Sequence, residues 1–480
     1  MEEKIMTPEN DVNEAMLLSG ADEDFAAVSV ADRIEEERSE IRSLIDAKDY
    51  SKVRQRLDDL NEADIAEVLE ELPENDQLKL FRILPKDMAA DVFAYLPIEV
   101  EQAIITSLSV REAANIVNNL MADDAADLME EMPATIVKKL LANASAETRR
   151  DINHLLRYPD DSAGSIMTVE FVDLKVNQTV AQCIDRIRKI GLDKETVNIC
   201  YVLDEQRHLL GTAALRYLLI HDPDEKIENI MNDNVIALST MMDQEEVANM
   251  FQKYDFTAMP VVDNENRLVG IITVDDVVDI IREEATEDME KMAAIIPSDK
   301  PYLKIGILET WKKRIPWLLL LMVSATFTGG IITHYEKALG AYVVLTAYIP
   351  MLMDTGGNAG GQVSVTVIRG LSLNEIEFAD FFKVIWKEMR VALLCGCTLA
   401  LCNFAKLLLV DRVGISIALV VCLTLIAAVF FAKLVGGMLP MLAQKAGFDP
   451  AVMASPFITT IVDALSLMIY FSIATAVLHI

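Results

Sequence analysis

Histidine is scarce in this 480-residue chain, with five in all. No metal-hydrolase histidine cluster, nucleophile elbow or P-loop appears, so enzyme chemistry is not expected. The six cysteines fit neither a metal-ligand spacing nor a disulfide framework. Cys395, Cys397, Cys402 and Cys422 lie inside apolar stretches, while Cys183 and Cys200 stand apart in the other half; all six read as small, reduced core residues. Basic residues are also in deficit, 43 Lys and Arg against 75 Asp and Glu. Phosphate binding needs concentrated positive charge, so nucleic acid is a poor partner. The N-terminus, MEEKIMTPENDVNEAM, has no apolar signal-peptide core.

The charge is divided unevenly. Residues 1–300 hold 65 acidic and 30 basic residues, a net of −35, whereas residues 301–480 hold 10 and 13, a net of +3. An acidic aqueous half therefore precedes a nearly neutral apolar half, the pattern of a soluble part fused to a membrane part. The last stretch, from Gly447 to Ile480, is long and apolar enough to span a bilayer, with Asp463 near its middle. An ionised Asp there costs about 2.5–3.5 kcal/mol or more, so it faces a bundle interior, a cation path or a basic partner elsewhere. Thr459, Thr460 and Ser466 are the polar groups near it.

Residues 1–35 read as an acidic leader. From 36 to 160 the pattern is helical, with short apolar units such as ADIAEVLEELP, AADVFAYLP and ADDAADLMEEMP recurring about every 25 residues, which predicts an all-α solenoid. In the last unit Asp123 and Asp127 share one helix face, where a cation compensates them or Asp123 caps the helix.

Residues 161–292 contain a duplication, with copies at about 162–225 and 226–290. Ile166-Met167 matches Ile230-Met231, Val202-Leu203-Asp204 matches Val261-Val262-Asp263, and Gly211 matches Gly270. Each copy reads as strand, helix, strand, turn, strand, helix, and the pair resembles tandem CBS modules. That resemblance implies an adenosine-nucleotide site, ATP or another, held in the second copy by Gly270, Thr273 and Asp276; the first copy lacks the matching Thr and Asp. The run VDDVVDIIREEATEDMEKM then places Asp276, Asp279, Glu283, Glu284, Glu287 and Asp288 within little more than three helical turns. It is either a solvated acidic helix or a carboxylate cluster that closes on divalent cations, which want several oxygens. Asp243, Glu245 and Asp255 are candidates to approach it.

A connecting helix is expected over 293–314, followed by a helical membrane domain at 315–480 with five spans, at about 315–335, 341–367, 391–410, 415–440 and 451–478. The loop basic residues (Lys312, Lys313 and Arg314; Arg369, Lys383, Lys387 and Arg390; Lys445) put the N-terminus in the cytoplasm and the C-terminus outside, against Lys337 and Arg412 on the other side. Five spans have no internal two-fold, so a symmetric pore needs two copies.

The second span ends YIPMLMDTGGNAGGQVSVTVIRG, with glycines beside Asn358 and Gln362, and Asp354 just ahead of them. Such glycines permit close helix packing, or let backbone carbonyls face a hydrated path. Here the chain resembles the MgtE family of magnesium transporters over nearly its whole length, on the signature Gly356-Gly357-Asn358-Ala359-Gly360-Gly361-Gln362, Asp463 after Ser455-Pro456, and Lys387-Glu388-Met389. The resemblance implies a homodimeric, Mg²⁺-selective, channel-like transporter of the bacterial plasma membrane. Its pore residues would be Asp463, with Asp354, Gly357, Asn358, Ser455 and Thr459 beside it, and Glu388 at the inner mouth. Its cytosolic Mg²⁺ sensors would be drawn from Asp123, Asp127, Asp243, Glu245, Asp255, Asp276, Asp279, Glu284, Glu287 and Asp288. Asp354, Ser455 and Lys433 depart from the family pattern and leave ion preference open among Mg²⁺, Co²⁺ and Mn²⁺. A rival reading from another class is a membrane-anchored nucleotide sensor that transports nothing.

Overall fold

The computed structural model describes residues 30–298, 300, 302–335, 340, 342–453 and 455–479. The expected leader lies almost wholly outside them, as does Lys337. The chain forms two compact units that divide at Val277 and Val278.

Among the described residues the first unit opens with ten helices: α1 (Val30–Asp46), α2 (Tyr50–Leu57), α3 (Glu62–Glu71), α4 (Glu74–Ile83), α5 (Lys86–Ala94), α6 (Ile98–Ser107), α7 (Val110–Val117), α8 (Ala122–Glu131), α9 (Ala134–Asn143) and α10 (Ala146–Leu155). Each packs against the helix two places along the chain, from α1 on α3 through to α8 on α10, as a solenoid of helix pairs does. The prolines at the ends of the quoted units open the next helix rather than belong to the one before. Pro73, Pro85, Pro97 and Pro133 stand at the N-caps of α4, α5, α6 and α9, where a missing N–H costs little. Ser109 starts α7 with a reciprocal capping box to Glu112. Leu69, Phe93 and Leu128 fill the continuous core with almost no exposure, each burial contributing about 1.5–3 kcal/mol.

The duplicated region forms two three-stranded sheets of the same design. β1 (Asp173–Lys175) runs parallel to β2 (Ile199–Leu203), which runs antiparallel to β3 (Leu209–Ala214), and α11 (Val180–Ile190) crosses between β1 and β2. The second sheet repeats this with β4 (Leu238–Ser239), α12 (Gln244–Tyr254), β5 (Ala258–Val262) and β6 (Leu268–Thr273). The turns match too. Asp204 Oδ1 accepts from the amides of Gln206 and His208, and Asp263 Oδ1 from those of Glu265 and Arg267.

The opening segment of each copy belongs to the other copy's sheet. Thr168 exchanges backbone hydrogen bonds of 2.8 and 2.9 Å with Ile271, and Asn232 exchanges bonds of 2.8 and 2.9 Å with Thr212. Met167 therefore packs over Gly270 and Met231 over Gly211, where a Cβ would come within 2.6 and 2.8 Å of the two sulfur atoms. The copies are interlocked rather than consecutive. The first also has a longer approach to its middle strand: residues 191–198, eight of them, precede β2, whereas residues 255–257, three, precede β5, a difference of five.

α13 (Val274–Met292) begins in the first unit and ends in the second. The expected connecting helix over 293–314 is not formed. The described part of 293–306 is turn and coil, and α14 (Ile307–His334) runs on without a break through Pro316 into the apolar segment. Helical hydrogen bonding carries past the basic cluster at 312–314 because nothing there removes a donor; Pro316 is the first residue that does.

Among the described residues, four more long α-helices follow: α15 (Ile349–Ser372), α16 (Phe381–Leu409), α17 (Ile415–Lys445) and α18 (Ser455–Leu478). α17 packs on α15, α16 and α18, and α15 packs on α18. The shared core includes Leu352, Leu407, Val421, Val429, Ile458, Val462 and Phe471. α14 buries no residue and joins the bundle through Tyr335 stacked on Phe471 and Trp317 edge-on to Phe457.

Among the described residues, four helices are long and apolar enough to cross a membrane: those containing Ile307–His334, Phe378–Leu409, Ile415–Lys445 and Phe457–Leu478. The span expected at 341–367 is not among them. Its helix starts later, at Ile349, and its 24 residues, about 36 Å long, carry Asp354, Asn358 and Gln362. It has the length of a span without the apolarity.

Candidate metal centre

Two acidic sites emerge, one in each unit. In the first unit α8 presents Asp123 and Asp124 in its opening turn, where the helix dipole favours negative charge. Met121 is the N-cap, so the capping role considered for Asp123 is not the one it takes. Asp123 Oδ1 is sealed from solvent and has no hydrogen-bond partner. Burial, and then the charges of Asp124, Asp276, Glu195 and Glu170, hold its carboxyl well above the usual range. Asp124 is pushed up to about 7 by burial and by Asp127, Asp276, Glu170 and Asp275. Glu195 also rises to about 7, through burial and the charges of Asp276, Asp275, Asp124 and Glu170. Behind them on α6, Glu101 rises to about 9 through burial and the charges of Asp124 and Asp127.

The duplicated region places its acids by backbone means. The Glu170 carboxylate accepts from the Thr168 hydroxyl at 2.7 Å and from the Val169 amide at 3.1 Å, and Ala122 of α8 donates to it at 3.4 Å. Glu195 donates its amide to the Glu170 carbonyl at 2.9 Å. Thr273 donates its hydroxyl to Asp276 at 2.7 Å, so Asp276 is oriented where β6 turns into α13. Among the described residues no three His, Cys, Asp or Glu side chains form a ready ligand set. The acids are a mutually repelling face, and such a face loses its repulsion when a divalent ion or protons arrive.

Of the residues expected to form the sensor, Asp123, Asp127 and Asp276 meet here. Asp243 and Asp255 do not. Asp243 caps α12 by accepting from the Glu245 amide at 3.0 Å, and Asp255 ends the same helix with φ 53°. Twelve residues of helix put them about 18 Å apart, too far to share an ion. Asp279, Glu284, Glu287 and Asp288 lie on the part of α13 in the second unit, and Glu287 is paired with Lys291 at 2.7 Å.

The sequence reading missed Glu101, Asp124, Glu170, Glu195 and Asp275. The signal for Glu195 was the unequal spacing of the two copies, since it sits in the five extra residues of the first. Asp124 stood beside a residue already chosen.

In the second unit, Asp354, Asn358 and Gln362 recur every four residues and share the exposed face of α15. Gly356, Gly357 and Gly360 share the packed face. A Cβ on Gly356 would lie 2.9 Å from Ser466 Oγ, one on Gly357 3.2 Å from Thr459 Cγ2, and one on Gly360 2.8 Å from Ile458 Cγ2. Gly357 thus serves helix contact rather than the open face expected of it. Thr459 is the residue it meets, and Asp463 follows one turn later on α18, half-buried, within reach of the charge of Asp354. Ser455 begins α18, but its side chain lies outside the described residues. Glu388 of α16 lies beside Gly437, its Cγ 3.9 Å from where a Cβ would stand. Lys433 is buried within α17 at 5% exposure.

A helical solenoid, an interlocked CBS-like pair and an apolar bundle carrying two carboxylates define a multidomain membrane protein. Three family models match in register with these parts: the MgtE intracellular N domain at residues 60–161, the CBS domain at 227–283, and MgtE, a divalent cation transporter, at 349–473. The chain is 40% identical over 338 residues to magnesium transporter MgtE of Thermus thermophilus, covering 69% of this chain and 73% of that one. It is 35% identical over 345 residues to magnesium transporter MgtE of Bacillus subtilis, covering 71% and 74%. A crystal structure of the soluble part of a magnesium transporter aligns with TM-score 0.50 and 32% identity, over 52% of this chain and 99% of that one. The chain belongs to the MgtE family of magnesium transporters.

Proposed function

We propose that this protein is a Mg²⁺-selective, channel-like transporter that moves divalent cations into the cytoplasm down their electrochemical gradient. The observation that carries the reading is the exposed polar face of α15 beside Asp463. A helix with Asp354, Asn358 and Gln362 on its outer face is costly against lipid, so that face belongs to a hydrated path shared with a second copy. Mg²⁺ sheds its waters reluctantly, so carboxylates such as Asp463 hold it through first-shell water. Two copies of the chain supply the paired carboxylates, with the N-terminus cytoplasmic and the C-terminus outside. Mn²⁺ and Co²⁺ are the rival cargoes.

Closure follows from the first unit. At low cytosolic Mg²⁺ the acids of α8 and the CBS pair repel; bound Mg²⁺ cancels that repulsion and favours the compact, closed form, a population shift that requires tighter ion binding to that form. The oriented Thr273–Asp276 pair supports an adenosine nucleotide at the second CBS copy as a further influence, and Asp276 then answers to both ligands.

The test is Mg²⁺ uptake by purified protein in liposomes carrying a Mg²⁺-sensitive dye, with Asp463→Ala alongside. Uptake by the wild type alone supports the pore and the role of Asp463. Equal uptake by a folded Asp463→Ala protein removes Asp463 from the mechanism, and silence from both favours the nucleotide-sensor alternative.

A further inference from the structure

The acids of α13 do not all await a metal, because one is already served by a cation of the chain itself. Lys291, in the last turn of α13, places its Nζ 2.7 Å from Glu287 Oε1 and 2.7 Å from Asp449 Oδ2. Glu287 lies one turn back on the same helix and orients the lysine. Asp449 lies in the loop between α17 and α18, and its other oxygen accepts from the Ala451 amide at 2.7 Å. That amide begins the 3-10 turn Ala451–Met453, which leads directly into Ser455 and α18. Apolar contact reinforces the junction, with Met292 packed against Ile368 of α15 and Ala451. Beyond it, the Ile296 amide donates to the Lys313 carbonyl at 3.1 Å and Lys313 Nζ to the Pro297 carbonyl at 2.5 Å, tying the coil after α13 to α14.

We propose that Lys291 is a positioning residue for the fifth span: a tethered ammonium that clasps the end of α13 to the turn from which α18, and with it Asp463, departs. A divalent ion and an ammonium both relieve repulsion between two carboxylates, but the ammonium cannot diffuse away. This clasp therefore needs no Mg²⁺ of its own and favours the closed form, and Glu287, neutralised by Lys291, leaves the set of acids that report on cytosolic Mg²⁺. Partial burial draws the ammonium down, but hydrogen bonds to Asp449 and Glu287 overcome this and hold it above its ordinary value, so it stays charged throughout the physiological range.

The role in closure rests on the transport reading above, and two measurements on the full-length protein separate them. Hydrogen–deuterium exchange over residues 446–453 needs no transport. It is expected to quicken in Lys291→Met and to return toward wild type in Lys291→Arg. In liposomes, the cytosolic-side Mg²⁺ concentration that halves uptake is expected to rise about three- to tenfold in Lys291→Met, the scale of a half-buried ion pair, and to recover in Lys291→Arg. Unchanged exchange in Lys291→Met, or a Lys291→Arg protein that recovers neither reading, overturns the clasp. Altered exchange with the halving concentration unmoved overturns its role in closure. A wild type that takes up no Mg²⁺ fails the transport reading while the exchange result still decides the contact.

Discussion

Substituting alanine for Gly436 tests the packing of the membrane unit at its tightest point. Gly436 of α17 meets the backbone of Gly360 on α15. A Cβ there would overlap the Gly360 carbonyl oxygen and stand 3.0 and 3.2 Å from its carbonyl carbon and Cα. These are backbone atoms of α15, so no side-chain rotation relieves the contact, and the two helices must separate. Overpacking of this kind costs about 1–3 kcal/mol, occasionally more. Against it stands about 0.5–1 kcal/mol gained by replacing a helical glycine with alanine. The net loss is about 1–2 kcal/mol, which for a unit of this size lowers Tm by roughly 2–8 °C. Gly329 of α14 supplies the internal comparison, because a Cβ there meets nothing within 4 Å. Gly329→Ala keeps only the favourable term and leaves Tm unchanged or slightly raised. Thermal unfolding of the two purified variants in one detergent measures both. A Gly436→Ala protein as stable as wild type would falsify the claim that the α15–α17 contact is set by backbone proximity.

Other expectations concern the acids and the caps. The raised carboxyls of the first unit favour folding fully only below their unfolded values near 4. That contribution is lost as pH rises through about 7 for Asp124 and Glu195 and about 9 for Glu101. With chelator present, stability should therefore fall from pH 5 to 8, and Mg²⁺ should flatten the fall; thermal scans across pH that rise over this range contradict the acidic-face account. Asp354→Ala, at an exposed position, should leave folding intact and raise the external Mg²⁺ needed for half-maximal uptake roughly tenfold, corresponding to about 1.4 kcal/mol; unaltered uptake kinetics remove Asp354 from the path. Ser109→Ala removes the hydroxyl that accepts from the Glu112 amide, leaves the residue-109 amide bonded to the Glu112 carboxylate, and should cost about 1 kcal/mol, read as a lower denaturant midpoint with an unchanged slope.

Much of this architecture was legible because it repeats. The strand alternation, Gly211 against Gly270 and Asp204 against Asp263 announced two copies, and the structure gives two sheets of matching register. The exchange of opening segments was not legible, since Ile166-Met167 heads its own copy in sequence and nothing local says which sheet it will join. In the second span the sequence showed which residues were present but not which way they faced. Only helix packing separates the glycines, turned toward α17 and α18, from Asp354, Asn358 and Gln362 on the opposite side. Asp243 and Asp255 carry the right charge for a sensor, but they stand at the two ends of α12. Glu170 escaped notice because an isolated carboxylate in a loop has no pattern, and its significance comes from neighbours distant along the chain.

The interlocking of the two CBS copies has a consequence for synthesis. As the chain leaves the ribosome, β1, β2 and β3 emerge with one edge still lacking its partner, because Asn232 is made after Thr212. The segment bearing Met167 and Thr168 emerges first of all, and its docking place on β6 does not exist until the second copy is nearly complete. Neither sheet can be finished alone, so the region gains its fold in one late step. A chain cut between the copies, at about residue 225, would yield two fragments that stabilise only each other.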